Sequence, residues 1–151
     1  MVSNNRDFRS LQVLFYAMLI GQLLFMLVVI FLVQNGEMGE RSHIFGENED
    51  LIIAGVYVMV MIGLSRFIDG MWKKQIPTVQ RVNRSAFGHY RNTVILRLAI
   101  LEGAGLLTIV LALVTSNPTL FLATALGLMA FWLARPAEEE FTERYDEPLP
   151  A

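Results

Sequence analysis

One carboxylate inside an otherwise apolar stretch is the residue best placed to do chemistry in this chain. Glu102 lies eight residues into the segment 94–114, which corresponds to about 12 Å along a helix. An ionisable group at such depth in a membrane is costly and is functional by default when it faces protein or water. Burial favours the protonated carboxyl, so Glu102 could serve a proton or cation site. The alternative is a structural acid that hydrogen-bonds Gln22, Tyr16 or Tyr57.

Arg97 is the nearest basic residue to Glu102, and Gln22 is a polar residue in an earlier apolar segment. Five residues separate Arg97 from Glu102, which places them about 140° apart around a helix and outside the usual i,i+3 or i,i+4 contact. Arg97 is close enough to one end of its segment to reach lipid headgroups. We therefore expect Glu102 to pair across to another helix or another subunit. Glu102, Arg97 and Gln22 are the candidate ion-binding residues.

Other reactive groups are sparse. The chain has no cysteine, which excludes disulfides, thiolate metal sites and a cysteine nucleophile. His43 and His89 fall in different loops and predict no shared metal site. No phosphate-binding glycine loop, serine elbow or zinc-binding helix motif is present. We expect no enzymatic activity, no cofactor and no metal.

The elements that position these residues are apolar blocks long enough to cross a bilayer. Hydrophobic residues make up 54% of the 151 residues and charged residues only 17%, against about 25% charged in soluble domains. The sequence predicts an all-α, four-helix membrane domain, because a backbone in hydrocarbon must satisfy its own hydrogen bonds. The predicted spans are residues 11–33, 51–68, 94–114 and 120–134. Residues 135–151 form an acidic tail.

Lysine and arginine in the short loops give the spans a direction. The segment between the second and third spans is basic, the amino-terminal stretch has Arg6 and Arg9, and the loop between the first two spans is acidic. The pattern predicts a multi-pass protein of the inner (plasma) membrane with both termini in the cytoplasm. Contact with anionic lipid headgroups is predicted for Lys73, Lys74, Arg81, Arg84 and Arg91.

The basic segment 78–91 is amphipathic if it is helical, with apolar and basic residues on opposite arcs. It could lie on the membrane surface or extend the third helix, and both alternatives stay open. Binding of nucleic acid is not expected, because positive charges beside a span are ordinary determinants of topology. Aromatic residues near the predicted span ends indicate interfacial anchors, and these are Trp72, Tyr90, Phe131 and Trp132.

Pairs of small residues four apart predict close helix packing in lipid. They are Ala17 and Gly21, Ala99 and Gly103, and Ala123 and Gly127. The simplest use of these pairs is to hold the four helices of one bundle together. A second use is to pack against another copy of the chain in a homo-oligomer, or against another membrane protein. Residues 8–32 also align without gaps with residues 90–114, which indicates two helical hairpins related by duplication.

The run from Tyr90 to Leu107 resembles segments of small four-span inner-membrane proteins of bacteria. Within it, Leu101-Glu102-Gly103-Ala104 after a basic loop is similar to the carboxylate helix of rotary-ATPase proteolipids. That resemblance implies that Glu102 binds a translocated ion. It covers about a quarter of the chain, and the glycine-rich partner helix of the proteolipids is missing here.

Two functions follow as hypotheses. The first is an accessory or scaffold subunit of a membrane assembly, indicated by short loops, packing faces and the lack of a catalytic set. The second is an oligomeric proton- or cation-translocating unit that uses Glu102.

Overall fold

The computed structural model describes residues 3–35, 47–74, 76 and 86–145. Within these ranges the chain is helical, with five helices and no strand: α1 (Ser3–Gln34), α2 (Glu47–Lys73), α3 (Ala86–Thr115), α4 (Leu120–Leu133) and α5 (Glu138–Tyr145). The first three predicted spans lie inside α1, α2 and α3, and α4 covers the fourth except for its last residue. The all-α prediction is therefore confirmed for the described residues.

Three of these helices are long and apolar enough to cross a membrane, namely Phe8–Gln34, Glu49–Lys73 and Ala86–Thr115. The helix α4 has 14 residues, which gives it a length of about 21 Å against a hydrocarbon core of about 30 Å. It passes the same test only together with α5, from which it is bent by 59°. The described chain therefore has three to four candidate spans, as expected of a multi-pass membrane protein.

The helix α3 is the centre of the bundle and packs against α1, α2 and α4. In its most apolar window 44% of the residues are buried, against 17% for the corresponding windows of α1 and α2. Leucine, valine and phenylalanine side chains cover the outer faces of α1 and α2, with Val13 and Phe67 about two-thirds exposed. Such faces suit hydrocarbon as the surrounding medium.

Glycines allow α3 and α4 to approach closely. A Cβ on Gly127 would stand 3.8 Å from the Cα of Gly105. Beside this crossing, the buried hydroxyl of Thr124 donates to that of Thr108 at 3.0 Å. A buried hydrogen bond and a glycine contact together fix how these two helices cross.

A short turn joins α3 to α4. Ser116 in that turn has a φ of 49°, a left-handed conformation that side chains with a Cβ rarely adopt. The Asn117 side chain accepts hydrogen bonds from the backbone N–H of Thr119 at 3.1 Å and from its hydroxyl at 2.7 Å. The turn makes α3 and α4 a helical hairpin.

Candidate functional site

Four charged side chains from three helices form a buried ion-pair network at one end of the bundle. The members of this network are Asp69 of α2, Arg97 of α3, and Glu140 and Arg144 of α5. Arg144 donates from Nη1 to Oδ1 of Asp69 at 2.8 Å and from Nη2 to Oδ2 at 3.0 Å. Arg144 also donates to Glu140, one helical turn earlier. Two arginines balance two carboxylates, which is what burial of such charges requires.

Arg97 joins the network to the end of α4. Its Nη1 donates to Oε1 of Glu140 at 3.0 Å, and its Nη2 donates to the carbonyl oxygen of Ala134 at 2.8 Å. Oδ1 of Asp69 lies 3.8 Å from the same Nη1. The guanidinium therefore satisfies a carbonyl left open at a helix carboxyl terminus while it neutralises two acids.

Aromatic side chains hold α5 on α3 beside the network. Phe141 and Tyr145, one turn apart on α5, are both buried, and the ring centroid of Phe141 lies 5.4 Å from that of Tyr90. The hydroxyl of Tyr90 is within donating distance of the Ala137 carbonyl at 3.1 Å and of Glu140 Oε2 at 3.2 Å. The hydroxyl of Tyr145 is hydrogen-bonded to Nδ1 of His89 at 2.6 Å.

The electrostatics of α5 follow from this docking. Burial acts to lower the pKa of Arg144, but hydrogen bonding to Asp69 and attraction by Glu140 and Asp69 outweigh it and raise the pKa. Burial raises the pKa of Tyr145 to about 12. Arg144 is therefore a permanent cation and Tyr145 a neutral hydroxyl in the folded state.

The network forms one wall of a cavity of about 790 Å³ between α2 and α4–α5. Its wall near the network is charged, with five basic and three acidic residues: Arg66, Lys73, Arg97, Arg135, Arg144, Asp69, Glu140 and Glu143. The remaining wall includes Ile62 and Leu101, and also Leu126, Met129 and Leu133 of α4. The cavity is thus cationic at one end and apolar at the other.

The three residues predicted to bind an ion are not joined by any hydrogen bond or ion pair in the described structure. Arg97 belongs to the ion-pair network, and its partners are Asp69, Glu140 and the Ala134 carbonyl. The amide of Gln22 is buried and has no hydrogen-bond partner among the described residues. Its Oε1 lies 2.8 Å from where a Cβ on Gly105 would stand.

Glu102 is half-buried on α3. It makes no hydrogen bond or ion pair with any described residue, so the expected structural bonds to Gln22, Tyr16 or Tyr57 are not formed. Glu102, Ala99 and Gly103 lie on one face of α3. Ala99 precedes Glu102 by three residues and Gly103 by four, and residues with these separations are neighbours on the surface of a helix. Ala99 and Gly103 are exposed there.

The small-residue pairs divide into two groups. Ala123 and Gly127 are buried between helices of this chain, whereas the pairs Ala17–Gly21 and Ala99–Gly103 are exposed. Among the described residues, no neighbouring atom lies within 4 Å of where a Cβ would stand on Gly21 or Gly103. The small residues of α4 therefore pack against other helices of the same chain, as expected, whereas the small-residue faces of α1 and α3 are not covered by described residues.

The basic residues expected at lipid headgroups also differ in their places. Lys73, Lys74 and Arg91 are exposed, and Lys73 lines the cavity. Arg81 and Arg84 lie outside the described residues. Residues 86–91 belong to α3, so this part of the amphipathic segment extends the third helix.

Two of the predicted interfacial anchors are wrong. Tyr90 and Phe131 are fully buried; Tyr90 contacts α5, and Phe131 stacks on Phe15 with ring centroids 5.2 Å apart. A ring that packs between helices of the bundle has no surface left for a headgroup layer, so proximity to a span end does not identify an anchor.

The sequence placed Glu140 and Arg144 in an acidic tail, and Asp69 was not among the predicted site residues. The spacing of Glu140 and Arg144, and of Phe141 and Tyr145, is four residues in each case. That spacing is the signature of a helix with one charged and one aromatic edge, and it could have identified α5.

The fold and its charged cavity define a class: an all-helical protein with three to four apolar helices long enough to span a membrane. Within the described ranges, no group of three histidine, aspartate or glutamate side chains is placed to hold a metal ion. The chain matches no protein-family model, no curated protein and no solved structure.

Proposed function

We propose that the chain crosses the inner membrane four times, with α1 to α4 as the spans and both termini in the cytoplasm. The basic segment between α2 and α3 and the acidic segment between α1 and α2 support this direction. In this placement the ion-pair network lies at the cytoplasmic end of the bundle. The polar helix α5 then lies against that end, outside the hydrocarbon.

We also propose that α1–α2 and α3–α4 are duplicated hairpins. In the alignment of residues 8–32 with residues 90–114, four of the five buried positions of the first stretch fall on buried positions and the exposed small residues on exposed small residues, whereas the buried Leu98, Gly105 and Ile109 fall on exposed residues. The buried matches are Phe8 with Tyr90, Leu11 with Thr93, Phe15 with Arg97 and Gln22 with Ala104; the exposed ones are Ala17 with Ala99 and Gly21 with Gly103. An axis along the membrane normal would relate the two hairpins.

The function supported best is that of an accessory or scaffold subunit of a membrane assembly. The observation that carries it is Glu102, which has no partner among the described residues and lies beside the open face of Ala99 and Gly103. A carboxyl group within a span needs a hydrogen-bonding partner, and small residues allow another helix to approach it closely. We propose that a helix of a partner membrane protein, or of a second copy, packs on this face and hydrogen-bonds Glu102.

The test is the size of the protein extracted from its own membrane in mild detergent. Wild-type protein is expected to migrate as a complex, and Gly103→Leu is expected to release the monomer because it fills the face. The matched control is Gly63→Leu on α2, since Gly63 is also exposed with no neighbouring atom within 4 Å of where its Cβ would stand. A wild-type monomer, or equal effects of the two substitutions, would contradict the proposal.

The alternative function is proton or cation translocation through an oligomer. Glu102, which has no partner among the described residues, favours it as well, and so does the resemblance of its helix to the proteolipids. In liposomes carrying a pH-sensitive dye, this function predicts flux by wild-type protein and loss of flux by Glu102→Gln. Flux that survives the substitution, or none in wild type, would rule it out.

A further inference from the structure

We propose that the cavity between α2 and α4–α5 is a binding site for one anionic phospholipid. The inference rests on the membrane placement proposed above and needs no partner protein. Arg66, Lys73 and Arg135 would bind the phosphate of the headgroup, and the apolar end of the cavity would hold the upper part of an acyl chain.

Charge is the first argument, because the basic residues of the cavity are not all neutralised. Arg144 occupies both oxygens of Asp69 at 2.8 and 3.0 Å, and Arg97 occupies Glu140. Lys73 is half-exposed and only 3.6 Å from the already paired Asp69. The exposed side chains of Arg66 and Arg135 form no ion pair with any described residue. Three cations therefore remain, against the one exposed acid Glu143, so the cavity wall keeps a net charge of +2 for an anionic ligand.

The order of residues along the helices is the second argument. Ile62 precedes Asp69 by seven residues on α2, and Leu126 precedes the Arg97-bound Ala134 by eight on α4. The apolar end thus lies about 10 to 12 Å deeper than the network. Half of a hydrocarbon core is about 15 Å thick. A phosphate at the network and an acyl chain beside Ile62 and Leu126 match this polarity.

The third argument is that the apolar side is open towards the lipid. Leu126, Met129 and Leu133 line the cavity and are 44%, 60% and 64% exposed. A lipid could therefore enter the cavity sideways from the bilayer. A water-soluble ligand would not approach from this side, because the side faces hydrocarbon. The volume of about 790 Å³ is in the usual range for ligand pockets, about 300–1,000 Å³.

The experiment places the full chain in nanodiscs of phosphatidylcholine with a minor fraction of phosphatidylglycerol, and native mass spectrometry counts the lipids that stay bound. One phosphatidylglycerol retained in preference to phosphatidylcholine is the expected result. The triple variant Arg66→Gln, Lys73→Gln, Arg135→Gln should lower this preference by about a hundredfold, since each basic residue near the surface contributes about fivefold.

The matched control removes three exposed basic residues outside the cavity, Arg9→Gln, Lys74→Gln and Arg91→Gln, and should lower the preference for the retained lipid much less than the cavity triple, because these residues contribute only general attraction to an anionic surface. An equal loss in both triples would show general attraction to the surface and overturn the site. Met129→Trp keeps every charge and fills the apolar end, so it should also release the lipid. Lipid that stays bound to this variant overturns the placement of the acyl chain.

A competition arm separates a lipid site from a simple anion site. Inorganic phosphate at millimolar concentration should not displace phosphatidylglycerol, and displacement would overturn the lipid assignment. Failure of the chain to insert into nanodiscs would contradict both the proposed membrane placement and the proposed lipid site. Insertion without a preference for phosphatidylglycerol would contradict the lipid site only and would leave the proposed subunit function unaffected.

Discussion

Arg144 donates two hydrogen bonds to Asp69, a residue 75 positions earlier in the chain, at 2.8 and 3.0 Å. This contact ties α5 to the end of α2. Because side chains of both residues are largely buried, the pair is shielded from solvent and from salt. Charge-assisted, two-pronged pairs of this kind are the stronger hydrogen bonds of proteins.

The first prediction concerns that pair. In a double-mutant cycle of Arg144→Ala and Asp69→Asn, we expect a coupling of about 1–3 kcal/mol in the free energy of unfolding. Arg144→Ala alone should be destabilising because it leaves Asp69 with weaker partners. Unfolding in mixed detergent and SDS micelles measures both. Arg135→Ala is the control, and additive single effects would contradict the prediction.

The second prediction concerns two glycines of α3 that are two residues apart. Gly105 is buried against Gln22 of α1 and Gly127 of α4, whereas Gly103 is exposed. Gly105→Leu should separate the helices and destabilise the protein by about 3 kcal/mol or more, beyond ordinary overpacking. Gly103→Leu should leave the free energy of unfolding of the monomer unchanged or improved. Equal midpoints for the two variants in the same micelle titration would contradict the described packing.

The third prediction concerns the turn between α3 and α4. Ser116→Gly should relieve the strain of the left-handed conformation and raise the free energy of unfolding by about 0.5 to 1 kcal/mol. The gain is not larger because glycine also gives the unfolded chain more freedom. Ser116→Val should be destabilising, because a β-branched residue suits this conformation least. The order of stabilities, glycine above serine above valine, is the measured quantity. Valine at or above serine would exclude strain at this position.

The fourth prediction concerns the docking of α5. Phe141→Ala should remove the buried ring that contacts Phe87, Tyr90 and Tyr145, at about 3 kcal/mol. Amide hydrogen exchange in residues 138–145 should then be about a hundredfold faster, with little change in α3. Thr142→Ala, an exposed neighbour on the same helix, is the control. Unchanged exchange in the Phe141 variant would show that α5 is held by the ion pairs alone.

The fifth prediction concerns topology. A reporter fused after Ala151 should give a cytoplasmic signal, because the basic segments stay on that side. A reporter inserted between residues 36 and 46 should give a periplasmic signal, and the pair of signals distinguishes four spans from three. Periplasmic signals from both fusions would show that α4 does not cross, and a periplasmic carboxy-terminal signal with a cytoplasmic loop signal would reverse the whole topology.

Much of the fold could be predicted from local sequence. Uncharged runs such as residues 11–33 leave the backbone no alternative to a helix in an apolar medium, and α1 to α4 follow the predicted spans within a few residues at most ends. The main difference is that α1, α2 and α3 extend past their apolar runs into polar sequence, α1 and α3 by eight residues at their amino-terminal ends. Helix ends depend on caps and on packing as well as on hydropathy.

Partners across helices could not be predicted in the same way. Arg97 stood out in the sequence beside Glu102, yet its carboxylates are Asp69 and Glu140, 28 and 43 residues away. Hydropathy predicts how deep each residue of a helix lies along the membrane normal. It does not predict how the helix is rotated about its own axis, and this rotation decides which side chains meet. The buried arc of α5, read in sequence as an acidic tail, likewise depends on the aromatic surface that α3 presents to it.

The sequence by itself determined the helical class, the apolar runs, the basic segment and the presence of one deep carboxylate, because each of these depends on residues adjacent in the chain. Tertiary structure decided that Glu102 has no partner among the described residues and lies beside the open face of Ala99 and Gly103, while Arg97 closes a network with Asp69, Glu140 and Arg144. It also decided which small residues are buried, and it created the half-charged, half-apolar cavity. These relations require the rotations and spacings of several helices at once, and no single stretch of sequence contains them.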